Sequence, residues 1–390
     1  MHKFHWIIGG LLGAVWLWRL LGAAVGMPKV DDITRAEWDW APEDVSQVPR
    51  GTVVVPARNE EESIEHCLSS LLTMDYPNYE VVAVNDRSTD RTGEIMDRLA
   101  ASESGRQKLK VIHVTELPPR WLGKTHAMWK AAAQSNGEWI LFTDGDIIFR
   151  ADTLRRAVGF AEKSKGDHLT VFPTMIMKSA GERMMIGFFQ AMFVLGNRPW
   201  KISDPDTYDF MGAGAFNMVR RSAYEKVGTF EALRLEVVDD LMFAKAIKEH
   251  RLAQRIVFGH GLISLRWGKS AMSTVGNLTK NIFALMRFRW PIALGAAVAL
   301  VFLNLGPFIG VVVALGLSKI GYGVALFSIA SMYWGMSGKS NVSPIYFFAH
   351  PVATVLVVYT LAKSMWMALS QGGVTWRGTK YELEELRSKS

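Results

Sequence analysis

Trp139-Ile-Leu-Phe-Thr-Asp144-Gly-Asp146-Ile-Ile-Phe149 decides how this chain is read: an apolar run stops at two carboxylates with one glycine between them. An apolar run of this length bounded by turn residues reads as a buried strand. Acids at the carboxyl end of such a strand stand where open α/β sheets bind ligands. At spacing i, i+2 both side chains point to the same side of an extended chain. A cation relieves their repulsion. Hard carboxylate oxygens suit Mg2+ or Mn2+, ions that usually also grip a substrate phosphate. Taken alone, the stretch also fits a polar strand-to-helix turn that binds nothing.

Outward from it, the chain alternates. Residues 52–56, 79–84, 109–114 and 139–143 read as strands, separated by helices over 60–73, 90–101, 123–135 and 151–164. Further strands are expected at 168–173 and near 212–219, with helices at 181–195, 221–227 and 239–250. Alternation with short loops predicts a mainly parallel sheet with helices on both faces. Two earlier strand ends are also polar: Pro56-Ala-Arg58-Asn59-Glu60-Glu61, and Asn85-Asp86-Arg87-Ser88-Thr89-Asp90. A loop that opens a helix presents free backbone N–H groups to an anion. Asp90 has the local role of a helix N-cap. Three successive strand ends thus put ligand groups on one rim.

The ends of the chain are apolar. Of 390 residues, 49% are hydrophobic, and Lys plus Arg exceed Asp plus Glu by seven. That excess suits an anionic membrane surface or anionic ligands, and no dense basic run points to a nucleic-acid polymer. One cysteine, Cys67, excludes an intrachain disulfide and suits a reducing compartment. Residues 1–27 read as a membrane anchor, since about 20 apolar residues cross a bilayer. Arg19 near its end is expected to snorkel to the interface. A cleaved signal peptide is the other reading of this segment. Residues 28–50 form a linker with Pro28, Pro42 and Pro49, whose Trp38 and Trp40 fit a membrane interface or a packed surface turn. A catalytic domain follows at 51–268. Residues 269–290 carry a basic amphipathic helix suited to an interface. Residues 291–369 hold two to three spans, with uncharged runs at 291–318 and 340–362 and a shorter one at 320–336. Residues 370–390 are a charged tail, read as either a solvated helix or a disordered segment.

In this order, VVVPARNEE, NDRSTDRT, the Gly123-Lys124 of WLGKTHAM, and DGD resemble the family 2 glycosyltransferases of GT-A fold, over residues 51 to about 290. The resemblance implies that Pro56, Arg58 and Glu60 line a nucleotide pocket, that Asp86 holds the base, usually uracil, and that Lys124 also touches the nucleotide. It places Asp144 on the ribose or diphosphate side and makes Asp146 the ligand of Mg2+ or Mn2+. Glu236-Val-Val-Asp239-Asp240 resembles the family's Glu-Asp pair at a helix start. Asp240 falls on the position of the catalytic base, and Asp239 replaces the Glu. Without the resemblance, acids at a helix N-terminus need only the dipole. Gly212 and Gly214 in GAGAFN resemble the acceptor-side strand; by themselves they report only close backbone approach. Arg289 and Trp290 resemble the end of the Gln-x-x-Arg-Trp motif of processive members, with Met286 in the place of Gln. Arg289 would reach the leaving diphosphate, and Trp290 would stack on an acceptor or serve as an aromatic-belt residue. His260 is a secondary candidate metal ligand, and His113 and His126 are weaker ones.

The loop before Lys124, with the terminal spans, is similar to hopanoid-associated, carotenoid and ceramide-type lipid glycosyltransferases. The resemblance implies a membrane-bound, metal-dependent, inverting enzyme. It would move a sugar from a nucleotide-sugar, usually a UDP-sugar, to a lipid acceptor at the cytoplasmic face. Two alternatives stand beside it. A processive polysaccharide synthase is disfavoured by the missing Gln. A catalytically silent nucleotide-sugar or lipid adaptor is disfavoured by the intact acids.

Overall fold

The computed structural model describes residues 2–40, 44, 47–376 and 379–387. Pro42 of the linker and residues 377–378 and 388–390 of the tail lie outside this set. Helix α1 (His2–Gly26) comes first. Then follow β1 (Gly51–Ala57), α2 (Ile64–Leu72), β2 (Tyr79–Asp86), α3 (Thr92–Ala100), α4 (Glu103–Lys108) and β3 (Leu109–Val114). Next come α5 (Gly123–Ala133), β4 (Trp139–Phe142), β5 (Ile148–Phe149), α6 (Thr153–Lys163), β6 (His168–Phe172), β7 (Thr174–Met175) and α7 (Ala180–Gly196). The domain continues through β8 (Asn217–Arg220), α8 (Arg221–Lys226), α9 (Thr229–Ala232), α10 (Asp239–Glu249), β9 (Gln254–Phe258) and β10 (Ile263–Leu265). The remainder is α11 (Ala271–Thr279), α12 (Trp290–Asn304), α13 (Gly306–Val313), α14 (Ile320–Ser340), α15 (His350–Ser370), β11 (Gly373–Trp376), β12 (Thr379–Glu382) and α16 (Leu383–Arg387). Contacts divide the chain into two units, residues 30–174 with 199–265, and residues 1–29 with 175–198 and 266–390.

The first unit holds a seven-stranded sheet in the order β3-β2-β1-β4-β8-β6-β9. Strands β3, β2, β1 and β4 run parallel, and β8 runs antiparallel to both its neighbours. Both faces are covered, so successive residues of one strand enter different cores. Val53, Val55, Val81 and Leu141 pack with α2, α3 and α6. Val54, Val82, Ile140 and Phe142 pack with α5, α8 and α10. This is why the strands read as unbroken apolar runs. The chain winds outward from β1 to β3 and then returns to place β4 on the other side of β1. The reversal lies between β1 and β4, the position where open α/β sheets bind ligands.

Residues 30–40 belong to this unit. Ile33 donates its N–H to the Phe258 carbonyl at 3.0 Å, and Phe258 donates to Asp31 at 2.8 Å. Arg156 donates to the carbonyls of Ile33 and Arg35, and the Trp38 ring meets Phe160 edge-on. Trp38 therefore sits in a packed turn on α6. Two helices begin later than the sequence pattern suggests, at Ile64 and Thr92, because the residues before them are spent on tying loops together. Residues 212–216 are loop, and the strand expected near 212 starts only at Asn217.

In the second unit, α1 and α14 cross at glycines. A Cβ on Gly13 would stand 2.6 Å from the Gly321 carbonyl oxygen, and one on Gly321 would stand 2.2 Å from the Gly9 carbonyl carbon. Small residues permit such close crossing of apolar helices. Arg19 does not snorkel. It is 8% exposed and donates to the Val194 carbonyl at 2.8 Å and the Asn197 carbonyl at 2.5 Å. The carbonyls in the last turn of α7, which have no further helical turn to pair with, are a better partner for a buried guanidinium than distant water. The expected amphipathic helix over 269–290 is also revised. It is α11, which ends at Thr279, followed by a turn in which Arg287 and Phe288 adopt φ of +50° and +56°. The uncharged run at 291–318 is broken at Leu305, where Pro307 opens α13 without an N–H to continue α12. Part of the expected tail is ordered as the β11–β12 hairpin and α16. Among the described residues, two stretches, Lys3–Lys29 and Pro344–Ser370, are long and apolar enough to cross a membrane. A third qualifies if the pair Ala271–Met286 and Trp290–Asn304, bent by 116°, counts as one.

A buried polar trio joins three strands. The His168 ring contacts the Asn217 side-chain oxygen through Nε2 and the Gln254 amide, at 3.1 Å, through Nδ1. Burial pushes His168 down to about 4, with the Asn217 contact opposing. An unfolded histidine titrates near 6.5, so protonation favours the unfolded chain. The resulting stability is complete above about pH 6.5 and is lost as pH falls through about 4, by roughly 3 kcal/mol. Denaturant titrations of the detergent-solubilised chain across this window should show a steeper loss in the wild type than in His168→Gln. Equal slopes would exclude His168 as the group responsible.

Candidate active site

Three loops meet at the reversal point. After β1, Asn59 takes φ +53° and places its side chain against the next loop. Its backbone N–H donates to Ser88 Oγ at 3.1 Å, and its Oδ1 accepts from the Thr89 N–H at 2.8 Å. The Glu60 N–H donates to Thr92 Oγ1, and the Glu61 N–H donates to Asp90 Oδ2. Asp90 also accepts from the Thr92 N–H, which caps α3 one residue early. Despite some burial, these bonds hold the Asp90 carboxyl below the usual carboxylate range. The loop carrying Arg58 and Glu60 is thus fastened to the one carrying Asp86.

Asp86 ends β2 and is only 4% exposed. Arg87, at φ +56°, grips both its oxygens, at 2.8 and 3.0 Å. A Cβ on Gly123 would stand 2.2 Å from Asp86 Oδ2, so only glycine lets the start of α5 come this close. Arg87 is a partner that motif matching passed over; its signal was its place directly beside Asp86. Pro56 is buried within β1. Its missing N–H costs little there, because pairing with β4 ends at Val54.

Lys124 follows Gly123 and reaches the acids. Its Nζ lies 2.9 Å from Asp144 Oδ1 and 3.2 Å from Asp239 Oδ2. Burial opposes its charge, but Asp144, Asp239 and Asp240 outweigh burial and hold the ammonium pKa above its ordinary value. The start of α5 is anchored by the Arg234 carbonyl, which accepts from the Leu122 N–H and from Thr125 Oγ1. Asp144 follows β4, whose end is fixed by Thr143 donating to the Val54 and Ala215 carbonyls.

Gly214 joins the two sets of acids. Its carbonyl accepts from the Asp144 N–H at 3.0 Å, and its N–H donates to Asp240 Oδ2 at 2.8 Å. The Leu241 N–H donates to the other oxygen of Asp240. Asp239 is 6% exposed. Burial raises its pKa, Lys124 opposes, and Asp240 and Asp144 add to the rise. Asp240 is raised as well, by burial first, with Lys124 opposing. These acids belong to segments nearly a hundred residues apart, so no local pattern could announce their contact.

Asp146 lies two residues past Asp144 with its side chain open to solvent. Its pKa is nonetheless raised, by the density of protein around it and then by the charges of Asp144 and Glu60. Because the side chain is open, that repulsion is the part a cation would relieve. Among the described residues, no group of three or more His, Cys, Asp or Glu could hold a metal ion. Ions such as Mg2+ are usually held by one or two carboxylates, with substrate phosphates and water completing the shell. The Asp144–Asp146 pair fits that arrangement. His260 does not join it: it is exposed in the turn after β9 and belongs to no metal-binding group among the described residues. His113 pairs instead with Asp97 at 2.9 Å, and His126 packs between Trp121 and Trp129. Arg289 and Trp290 open α12 in the other unit, where Trp290 is exposed.

Gly212 offers a direct check on this geometry. A Cβ there would stand 2.0 Å from the Asp240 carbonyl oxygen, an immovable backbone atom at the start of α10. Gly212→Ala should cost about 1–3 kcal/mol of unfolding free energy and displace Asp239 and Asp240. A Gly212→Ala protein with wild-type thermal stability would show that the loop has room that the structure denies.

Residues 52–228 match the sequence model of the family described as Glycosyl transferase family 2. A 4,4'-diaponeurosporenoate glycosyltransferase of Staphylococcus aureus (strain MRSA252) is 22% identical over 344 residues, covering 86% of this chain and 88% of that protein. Among solved structures, a mannosyltransferase from Pyrobaculum calidifontis in complex with GDP-Man and Mn2+ aligns with a TM-score of 0.52 and 19% identity. The alignment covers 93% of this chain and 99% of the other. At that identity the likeness concerns the fold, and the expected GT-A architecture is met. The parallel-rich sheet, the polar loops at its reversal point and the sequence match agree, and residues 52–228 of this chain are a glycosyl transferase family 2 domain.

Proposed function

We propose that the chain is a membrane-bound, inverting glycosyltransferase that moves a sugar from a nucleotide-sugar, a UDP-sugar, to a lipid acceptor at the cytoplasmic face. One observation carries the proposal: at the reversal point, Lys124 lies between Asp144 and Asp239, beside Asp240. A positive group flanked by acids on two elements suits a diphosphate leaving group on one side and a base on the other. The two helices apolar enough to cross a membrane and the carotenoid-type relatives support a lipid acceptor. Synthesis of activated sugars in the cytosol supports the orientation.

Arg58, Glu60 and Asp86 surround the nucleotide, Lys124 and Asp144 face the diphosphate, and Asp146 with Asp144 would hold Mg2+ or Mn2+. Such an ion supplies charge neutralisation to the leaving diphosphate when bound. Asp240 is the base. Its two oxygens accept backbone N–H groups, and a carboxylate has further lone pairs for a proton. Its raised proton affinity favours taking the proton of an acceptor hydroxyl. The hydroxyl oxygen bonds to the anomeric carbon from the face opposite the sugar–phosphate bond. That bond breaks, and the nucleoside diphosphate leaves with its electron pair.

Membranes containing the full chain, incubated with Mn2+ and labelled UDP-glucose, UDP-N-acetylglucosamine or GDP-mannose, should transfer label into an organic extract. A ladder of product lengths would mean polymerisation, and no consumption of any nucleotide-sugar would leave a binding protein. Asp240→Asn should lower kcat by about 10²–10⁴-fold, with the KM for the nucleotide-sugar little changed. Wild-type turnover in this variant would remove Asp240 as the base.

A further inference from the structure

Lys124 does more in this geometry than offer a charge to a nucleotide. Asp144 lies on the β4 side of the site and Asp239 at the start of α10, and one ammonium touches both, at 2.9 and 3.2 Å. The same two elements are also joined through Gly214, which bonds the Asp144 N–H and the Asp240 carboxylate. A cation and one glycine residue thus form two parallel ties across the site. Asp239 is buried. A buried acid deprived of its cation is strongly destabilising, whereas removing both partners often costs little. An ammonium has three N–H donors, and two carboxylates occupy two of them.

We propose that Lys124 is a positioning residue: it fixes Asp144 and the Asp239–Asp240 pair as one unit and keeps its third N–H for an oxygen of the nucleotide-sugar diphosphate. The proposal rests on the sugar-transfer reading above. It gives Asp239 a function of its own, as the anchor that holds the ammonium in place before substrate arrives. Preorganised charge of this kind needs no rearrangement during reaction. It also separates Lys124 from a simple nucleotide contact. Loss of a contact made equally in ground and transition states raises KM and leaves kcat alone. Loss of a tie that positions the base lowers kcat.

A double-mutant cycle on the full-length, membrane-embedded protein tests this. The measurement is nucleoside diphosphate release from UDP-glucose, UDP-N-acetylglucosamine and GDP-mannose with Mn2+. Lys124→Met should lower kcat by more than it raises the KM for the nucleotide-sugar. Adding Asp239→Asn should raise kcat by about tenfold over Lys124→Met alone, since the stranded buried charge is gone. Lys124→Arg, which keeps the charge and can serve two carboxylates, should retain more kcat than Lys124→Met. Losses that multiply in the double variant, or a Lys124→Met defect confined to KM, would overturn the proposal. If Lys124→Met alone does not fold, recovery of a folded, active protein on adding Asp239→Asn meets the expectation, and no recovery defeats it. A wild-type protein without turnover would sink the transfer reading itself. Wild-type turnover with multiplied losses would sink the role of Lys124 alone.

Discussion

Electrostatic crowding at the point where strand order reverses is the constraint on which this site depends. Asp144 and Asp239 share the Lys124 ammonium, Asp240 stands beside them, and Asp146 and Glu60 add to the field. The protein tolerates these charges because each has a defined partner or faces solvent. Asp240 takes two backbone N–H groups, Asp239 and Asp144 take Lys124, and Asp146 remains open. A less exact backbone could not do this. The glycines at 123, 212 and 214 admit approaches that any Cβ would block, to Asp86, to the start of α10 and to Asp144 respectively. Core packing supplies the rigidity behind them, because both faces of the sheet are buried from β3 to β8.

The sheet was legible because its strands are buried on two sides. Runs such as Thr52-Val53-Val54-Val55 leave little choice of conformation, and the intervening helices follow from length and period. The polar strand ends were legible for the same reason, as each is an abrupt stop in an apolar run. The contacts across the rim were not. Asp144 meets Gly214, and Gly214 meets Asp240, through backbone groups whose sequence carries no periodicity. The glycines of residues 212–216 are a visible sign of close approach, but their apolar neighbours read as strand where the chain makes a loop. Asp239 looked like a substitute for a family Glu; its burial against Lys124 could come only from the fold.

Hydropathy was a coarser guide in the other unit. Uncharged runs marked the apolar helices, but composition alone does not say where a helix stops. Pro307 ends one continuous run because a proline nitrogen cannot donate to the preceding turn. The left-handed residues Arg287 and Phe288 break another, with no glycine there to signal the turn. Arg19 shows the same limit of composition. In an isolated helix a lone arginine looks for water, but α7 ends beside it with unpaired carbonyls, and these satisfy the guanidinium inside the protein.

Charge balance gives the proposed reaction its direction. A diphosphate brings more negative charge to a rim that already holds Asp144 and Asp146, and Lys124 is committed to two carboxylates before it arrives. Lys124 can hold one diphosphate oxygen but cannot neutralise the group. The open Asp146, crowded by Asp144 and Glu60, is the place where a dication gains most, since it relieves the repulsion there and that of the phosphates together. Asp239 and Asp240 owe their raised proton affinity first to burial, with Lys124 opposing and Asp144 adding to the rise. The two tasks that the proposed reaction sets, holding an anion and accepting a proton, ask for opposite potentials. The fold reconciles them by setting one lysine between the two sets of acids.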